Sequence, residues 1–248
     1  MAKANDPEQI CTIRIELTHS EPLIWREVEA PISITLGDLH EIIQIAIGWD
    51  GDHLWQFTIG KQTYGPDGDF DIWSGQETNA GEVALSEVLR PRRTTFRYLY
   101  DFGDSWEHKV LVTKIRAREP GIAYPRYIGG ERNGPPEDCG GLHGYYEGLE
   151  AAAKNDDDDA AGDDWDEYSW AENFDPNDVD AKGIEAALRR MADHLGARKR
   201  PRRQRSKGAD IAPFGRNATM ADTVAMMVNA LRAATPPGAN KFRSANKK

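Results

Sequence analysis

Nine residues, Tyr100-Asp-Phe-Gly-Asp-Ser-Trp-Glu-His108, place Asp101, Asp104, Glu107 and His108 around one glycine. Two aspartates and a histidine converging at a strand end can hold a divalent cation, or pair a general base with an acid. His53, preceded by Asp50 and Asp52, joins them if its strand lies alongside. A purely structural account covers the same residues. Gly103 permits a tight turn, Asp104 and Ser105 bond turn amides, and Trp106 covers the sheet end. Gly103-Asp-Ser-Trp106 has the outline of a nucleophilic serine site, but such a serine needs an activating histidine and two aligned amides. Trp106 is bulky, no G-x-S-x-G elbow surrounds Ser105, and residues three apart on a strand point to opposite faces, which turns His108 away.

A second chemical segment runs from Arg132 to Gly141, after Gly129-Gly130. Its amides can face an anion, and Cys139 offers a thiol. Glu137 and Asp138 flank that sulfur and raise its pKa, which disfavours a reactive thiolate. The structural alternative is a proline-stiffened loop folded over the sheet. The candidate binding cluster is therefore His53, Asp101, Asp104, Trp106, His108, Glu137, Asp138 and Cys139, with a divalent metal as its one cofactor candidate. Trp25, Trp49, Trp55 and Trp73 either line a groove or belong to the core. His40 and His143 fall on helices and read as surface or capping residues. Cys11 reads as a small apolar residue of the first strand.

The third segment is basic. Arg198, Lys199, Arg200, Arg202, Arg203, Arg205 and Lys207 put seven cations in ten residues. They can neutralise several phosphates and give strongly salt-dependent binding. No aromatic interleaves with them, so base stacking is not indicated; a solubilising linker is the plain alternative. The charge is segregated. The chain of 248 residues has net charge −10, yet residues 198–248 carry +11 and residues 1–197 carry −21. An acidic body argues against nucleic acid binding over the whole surface.

Elements must position these groups. Residues 10–18 alternate with period 2, and residues 24–30 look like their partner strand, closed by Pro31. Thr35-Leu-Gly-Asp38 reads as a capping box. Leu36, Leu39, Ile43, Ala46 and Ile47 follow at helical spacing, and Gly48 ends that helix. Leu54 to Gly60 is a third strand with its turn at Gly60-Lys61. Pro66 to Gly81 is a long loop, and Ser86 to Leu89 one short helical turn. Thr94 to Asp101 and His108 to Ile115 form a hairpin, with Phe102 to Trp106 as its turn. Ala123 to Gly141 reads as loop, Leu142 to Lys154 and Val179 to Leu195 as helices. Residues 155–167 hold eight carboxylates, read as a solvated loop or a docking place for the chain's own tail. Met220, Val224, Met227, Val228 and Leu231 form an apolar helical stripe before Pro236-Pro237. The fold class is α+β: an antiparallel sheet of about five strands with packed helices, plus a basic C-terminal extension with one helix. The expected divisions are a domain at 1–197, a basic linker at 198–217, a helix at 218–235 and a disordered tail at 236–248.

Two cysteines, too few for a disulfide framework, no apolar leader of signal-peptide length and no membrane-length apolar run point to the cytoplasm, with no membrane partner. Several segments also occur in a specific order: Pro22-Leu-Ile-Trp-Arg26, Ile34-Thr-Leu-Gly-Asp-Leu-His40, Gln44-Ile-Ala-Ile-Gly-Trp-Asp50, Asp52-His-Leu-Trp-Gln-Phe57, Tyr100 to His108, Tyr124-Pro-Arg126, Gly130-Glu-Arg132 and Pro135-Pro-Glu-Asp-Cys-Gly-Gly141. Over about residues 8–195 this resembles the plasmid Ri ORF-three-like domain family, also labelled insertion-element passenger proteins. The resemblance implies an α+β domain found with plasmids and transposable elements, in a family largely without an established activity. The chain departs from the family pattern in two places. Trp55 stands where many members have a second histidine, and Asn133-Gly134 where many have Ala-Cys, which weakens any metal site needing that His or Cys.

Two functional classes follow. One is a non-enzymatic binding or adaptor module: the α+β domain recognises a protein or peptide, and the basic tail contacts nucleic acid without sequence preference or an acidic partner. The other is a metal-dependent or acid–base enzyme centred on His53, Asp101, Asp104 and His108. The first is favoured because no complete catalytic constellation is present.

Overall fold

The computed structural model describes residues 8–67, 78–90, 94–155 and 168–198. The chain divides into two units, Met1–Pro201 and Arg202–Lys248, and every described residue lies in the first. The C-terminal helix at 218–235, the disordered tail at 236–248, the acidic run beyond Asn155, Trp73 and the basic residues from Lys199 to Lys207 fall outside the described residues.

Period-2 patterning becomes strand as expected. β1 (Gln9–Leu17) and β2 (Trp25–Pro31) form an antiparallel pair that puts Ile13 opposite Val28 and Ile15 opposite Arg26. Helix α1 (Leu36–Ile47) starts at the Thr35 capping box. The Asp38 amide donates to Thr35 Oγ1 over 3.0 Å, and the Thr35 amide donates to Asp38 Oδ2 over 2.9 Å. α1 ends at Gly48, whose φ of 104° is the left-handed conformation that a side chain resists. β3 (Trp55–Ile59) turns through Gly60-Lys61 into β4 (Gln62–Gly65), and β5 (Thr78–Asn79) pairs with β4 in parallel. A single turn, α2 (Leu85–Val88), precedes the long hairpin of β6 (Thr95–Tyr100) and β7 (Trp106–Ala117). β8 (Arg126–Glu131) lies on the edge beside β2, followed by α3 (Gly141–Asn155) and α4 (Ala181–Arg198).

The sheet therefore has eight strands, in the order β5-β4-β3-β6-β7-β1-β2-β8, and not about five. Three short strands account for the difference. β4 has four residues and β5 two. β8, inside the segment read as loop, is Arg-Tyr-Ile-Gly-Gly-Glu, whose paired glycines hide a strand pattern. The β6–β7 turn is also shorter than expected, because Trp106 is already the first residue of β7.

One face of the sheet carries the core. Cys11, Ile13, Ile15 and Leu17 of β1, Phe57 of β3, Tyr98 and Tyr100 of β6 and Val110 of β7 are fully buried with Leu36, Leu39, Ile42, Ile43 and Ala46 of α1. Trp49 and Trp55 are core as well. The other face is polar: Arg14 stacks 3.9 Å above the Trp25 ring, and Glu29 receives Arg116 and Arg126. No helix among the described residues is long and apolar enough to cross a membrane.

His40 corrects the sequence reading. It is neither a surface nor a capping residue but is buried, stacked on Trp55 at 4.1 Å and bonded through Nδ1 to the Tyr98 hydroxyl over 2.7 Å. His143 is on the surface as expected, beside Glu147.

Candidate functional site: a histidine among three carboxylates

The end of the sheet where β6 stops and β3 and β7 begin gathers most of the candidate residues. Asp101 follows β6, and its amide donates to the Leu54 carbonyl, so it sits beside the segment that carries His53. Its φ of 51° turns the chain back, and its Oδ1 accepts from the Gly103 amide over 2.9 Å. The other oxygen, Oδ2, lies 3.8 Å from His53 Nδ1.

The remaining members arrive on the 132–140 loop, which is fastened along its length. The Arg26 guanidinium bonds the Arg132 carbonyl over 2.7 Å, and Trp49 Nε1 donates to the Pro135 carbonyl over 2.8 Å. Gly134 lies so close to α1 that a Cβ there would stand 2.2 Å from the Ile47 carbonyl oxygen. Glu137 Oε1 accepts from both the Asp50 amide and the Tyr100 hydroxyl, each over 2.9 Å. The Gly140 amide donates to Asp104 Oδ2 over 3.1 Å. Held this way, the loop puts Asp138 Oδ1 3.2 Å and Glu137 Oε2 3.8 Å from His53 Nε2.

One ligand atom each from His53, Asp101 and Asp138 lie within 4.8 Å of one another, with Glu137 alongside. Beneath them is an aromatic floor. Tyr100 meets the His53 ring edge to face at 5.7 Å, and Trp49 stacks on Tyr100 at 4.9 Å. Burial raises the Glu137 carboxyl above its usual range and Asp138 adds to this; the Asp50 amide, the Tyr100 hydroxyl and His53 oppose it. Burial and the facing Glu137 raise the Tyr100 phenol as well.

The other predicted members do not join. Asp104 is taken up by the Gly140 amide. His108 points into the core, where Nδ1 donates to the Trp106 carbonyl over 3.0 Å and Trp49 meets the ring edge-on at 5.3 Å. Burial lowers its pKa to about 4. Trp106 is fully buried against Trp49. The Ser105 hydroxyl donates to the Phe102 carbonyl. Burial, with Asp104 as the next contributor, pushes the Cys139 thiol up to about 12. Of the basic run, only Arg198 is described, as the last residue of α4.

The site thus differs from the quartet His53, Asp101, Asp104 and His108 in its composition. Glu137 and Asp138, singled out in the sequence for their effect on Cys139, are the residues that meet His53. A separate cleft of about 820 Å³ opens at the far end of β7, between residues 118–124 and the last turns of α4. None of the clustered residues lines it.

Comparison with known proteins follows the same span of chain. The family described as plasmid pRiA4b ORF-3-like protein matches residues 9–183. An uncharacterized protein, y4hQ, of Sinorhizobium fredii is 37% identical over 148 residues, covering 58% of this chain and 73% of that protein. A crystal structure of a protein of unknown function from Methanosarcina mazei Go1 superposes with a TM-score of 0.63 at 29% identity, covering 72% of this chain and 97% of the other.

Proposed function

From a chain that belongs to the plasmid pRiA4b ORF-3-like family, we propose a binding module whose domain takes a divalent cation at His53, Asp101 and Asp138, with Glu137 beside them. The observation that carries this reading is the convergence of one imidazole and two carboxylates within 4.8 Å. Mixed imidazole and carboxylate donors suit first-row ions such as Mn²⁺ or Zn²⁺ better than Mg²⁺ or Ca²⁺. The neighbouring hydroxyl and thiol offer no ready nucleophile, since Ser105 bonds the Phe102 carbonyl and burial keeps the Cys139 thiol protonated. The test is a Mn²⁺ titration of the full chain, followed by the electron paramagnetic resonance signal of free ion. Wild type should take up one equivalent and Asp138→Asn should lose it; a wild type that takes up none overturns the reading.

The tail supports a second, independent part of the proposal, an adaptor role. Seven cations between Arg198 and Lys207 would contact phosphates without reading sequence, while the acidic domain serves a separate partner. Changing Arg198, Arg200, Arg202, Arg203 and Arg205 to Gln in the full chain should sharply weaken retention on duplex DNA at low salt. Equal retention of variant and wild type would remove nucleic acid as the tail's partner. A reducing cytoplasm suits the two unpaired thiols, Cys11 and Cys139.

A further inference from the structure

Arg26 is 1% exposed, yet its guanidinium bonds carbonyl oxygens and no carboxylate among the described residues. Nε donates to the Ala46 carbonyl over 2.7 Å. Nη1 donates to the carbonyls of Trp25, Glu131 and Arg132 at 2.9, 3.1 and 2.7 Å. A buried cation with only neutral partners is costly unless something else compensates its charge. Here the compensation comes from α1. Ala46 lies in its last turn, where carbonyls lack partners within the helix and the helix dipole is negative.

The consequence concerns the loop. Arg26 is the point where β2, the C-terminal end of α1 and the end of β8 are tied together, and the 132–140 loop departs from that point. Space is reserved for it: a Cβ at Gly130 would lie 2.7 Å from Arg26 Cδ. Farther along, the loop touches α1 again at Gly134 and then delivers Glu137 and Asp138 to His53.

We propose that Arg26 is the positioning residue of the site: its guanidinium fixes the departure of the 132–140 loop, and so sets how Glu137 and Asp138 face His53. This rests on the cation-site reading for its functional consequence, and on hydrogen bonds alone for its structural part. Lysine cannot replace it, because one ammonium does not span the Ala46 carbonyl and the Glu131–Arg132 carbonyls as the planar fork does.

The test uses two reporters of the loop's position, the Asp50 amide held by Glu137 of the loop and the Gly140 amide of the loop held by Asp104. In Arg26→Lys, hydrogen exchange at both should accelerate about tenfold or more, with Ile13 and Val110 in the central strands unchanged. Mn²⁺ affinity should fall about tenfold, as for groups that orient metal ligands. Unchanged exchange at Asp50 and Gly140 overturns the positioning role. Accelerated exchange in a protein whose wild type binds no Mn²⁺ upholds that role and overturns the cation site. If the lysine variant does not fold, Arg26→Met, which keeps the apolar stem, carries the same measurements.

Discussion

His40 and His108 are held neutral by burial, which lowers their pKa values to about 3 and about 4 from an ordinary 6.5. The sign of the linkage follows directly. Above pH 6.5 both rings are neutral whether the chain is folded or not, and the full stability is present. As the pH falls below 6.5, the unfolded chain takes up protons that the folded chain refuses. Stability then drops by about 1.4 kcal/mol per pH unit for each ring, levelling off near the two folded values. The urea midpoint should therefore fall steadily between pH 6.5 and 4.5, and His108→Phe should make that fall shallower; a flat midpoint contradicts it. The thiols give a second prediction at this scale. Burial holds Cys11 and Cys139 near 12, so neither should react with a thiol reagent at pH 8 until urea is added. Stoichiometric labelling of the folded chain would show an access route to sulfur. Reading single residues from sequence works for Cys11, whose place in a period-2 strand decides its burial; for Cys139 it gives the direction but not the cause, since burial and the distant Asp104 outweigh Glu137 and Asp138. It fails for His40, because the hydroxyl it bonds belongs to Tyr98, on a strand far away in the chain.

Elements were legible where local chemistry specifies them. The α1 boundaries follow from Thr35, Asp38 and Gly48 alone, because a capping box and a left-handed C-cap are made by residues a few positions apart. Thr35→Ala should cost about 1 kcal/mol of stability. Asp38→Ala added to it should cost less than the sum of the two single changes, since the box is reciprocal. Urea unfolding of the three variants measures this, and strict additivity would mean the two bonds act separately. β8 was not legible for the opposite reason. Tyr127 and Ile128 suit a strand, but Gly129-Gly130 mask the pattern, and the segment becomes one through pairing with β2 in a bulged register and through contact with α4. The candidate site inherits that difficulty. Asp101 and His53 meet because β3 and β6 pair, a pairing between strands that are not neighbours in sequence and that the patterning leaves open. Glu137 and Asp138 arrive only because β8, Arg26 and Trp49 route a loop across the sheet end.

At the scale of the whole molecule, charge divides the chain more sharply than composition does. The domain that carries the proposed cation site lies within residues 1–197, at −21, and the cations that could meet a polyanion lie within 198–248, at +11. A field of that sign on the domain attracts divalent cations and repels DNA, so any affinity for a duplex is expected from the tail. Each phosphate contact releases counterions, which makes the number of contacts readable as a slope. If all seven cations from Arg198 to Lys207 engage, log affinity should fall against log salt with a slope of about −6, and fewer contacts give a proportionately shallower line. Replacing the five arginines by Gln should make the slope shallower by about 4.5, measured by fluorescence anisotropy on a labelled duplex. The same variant should bind Mn²⁺ as the wild type does, because its substitutions lie outside the loop and strands that build the site. Loss of both activities together would mean that the two halves of the chain work as one surface. Loss of DNA binding alone would establish two independent binding functions, joined at the end of α4.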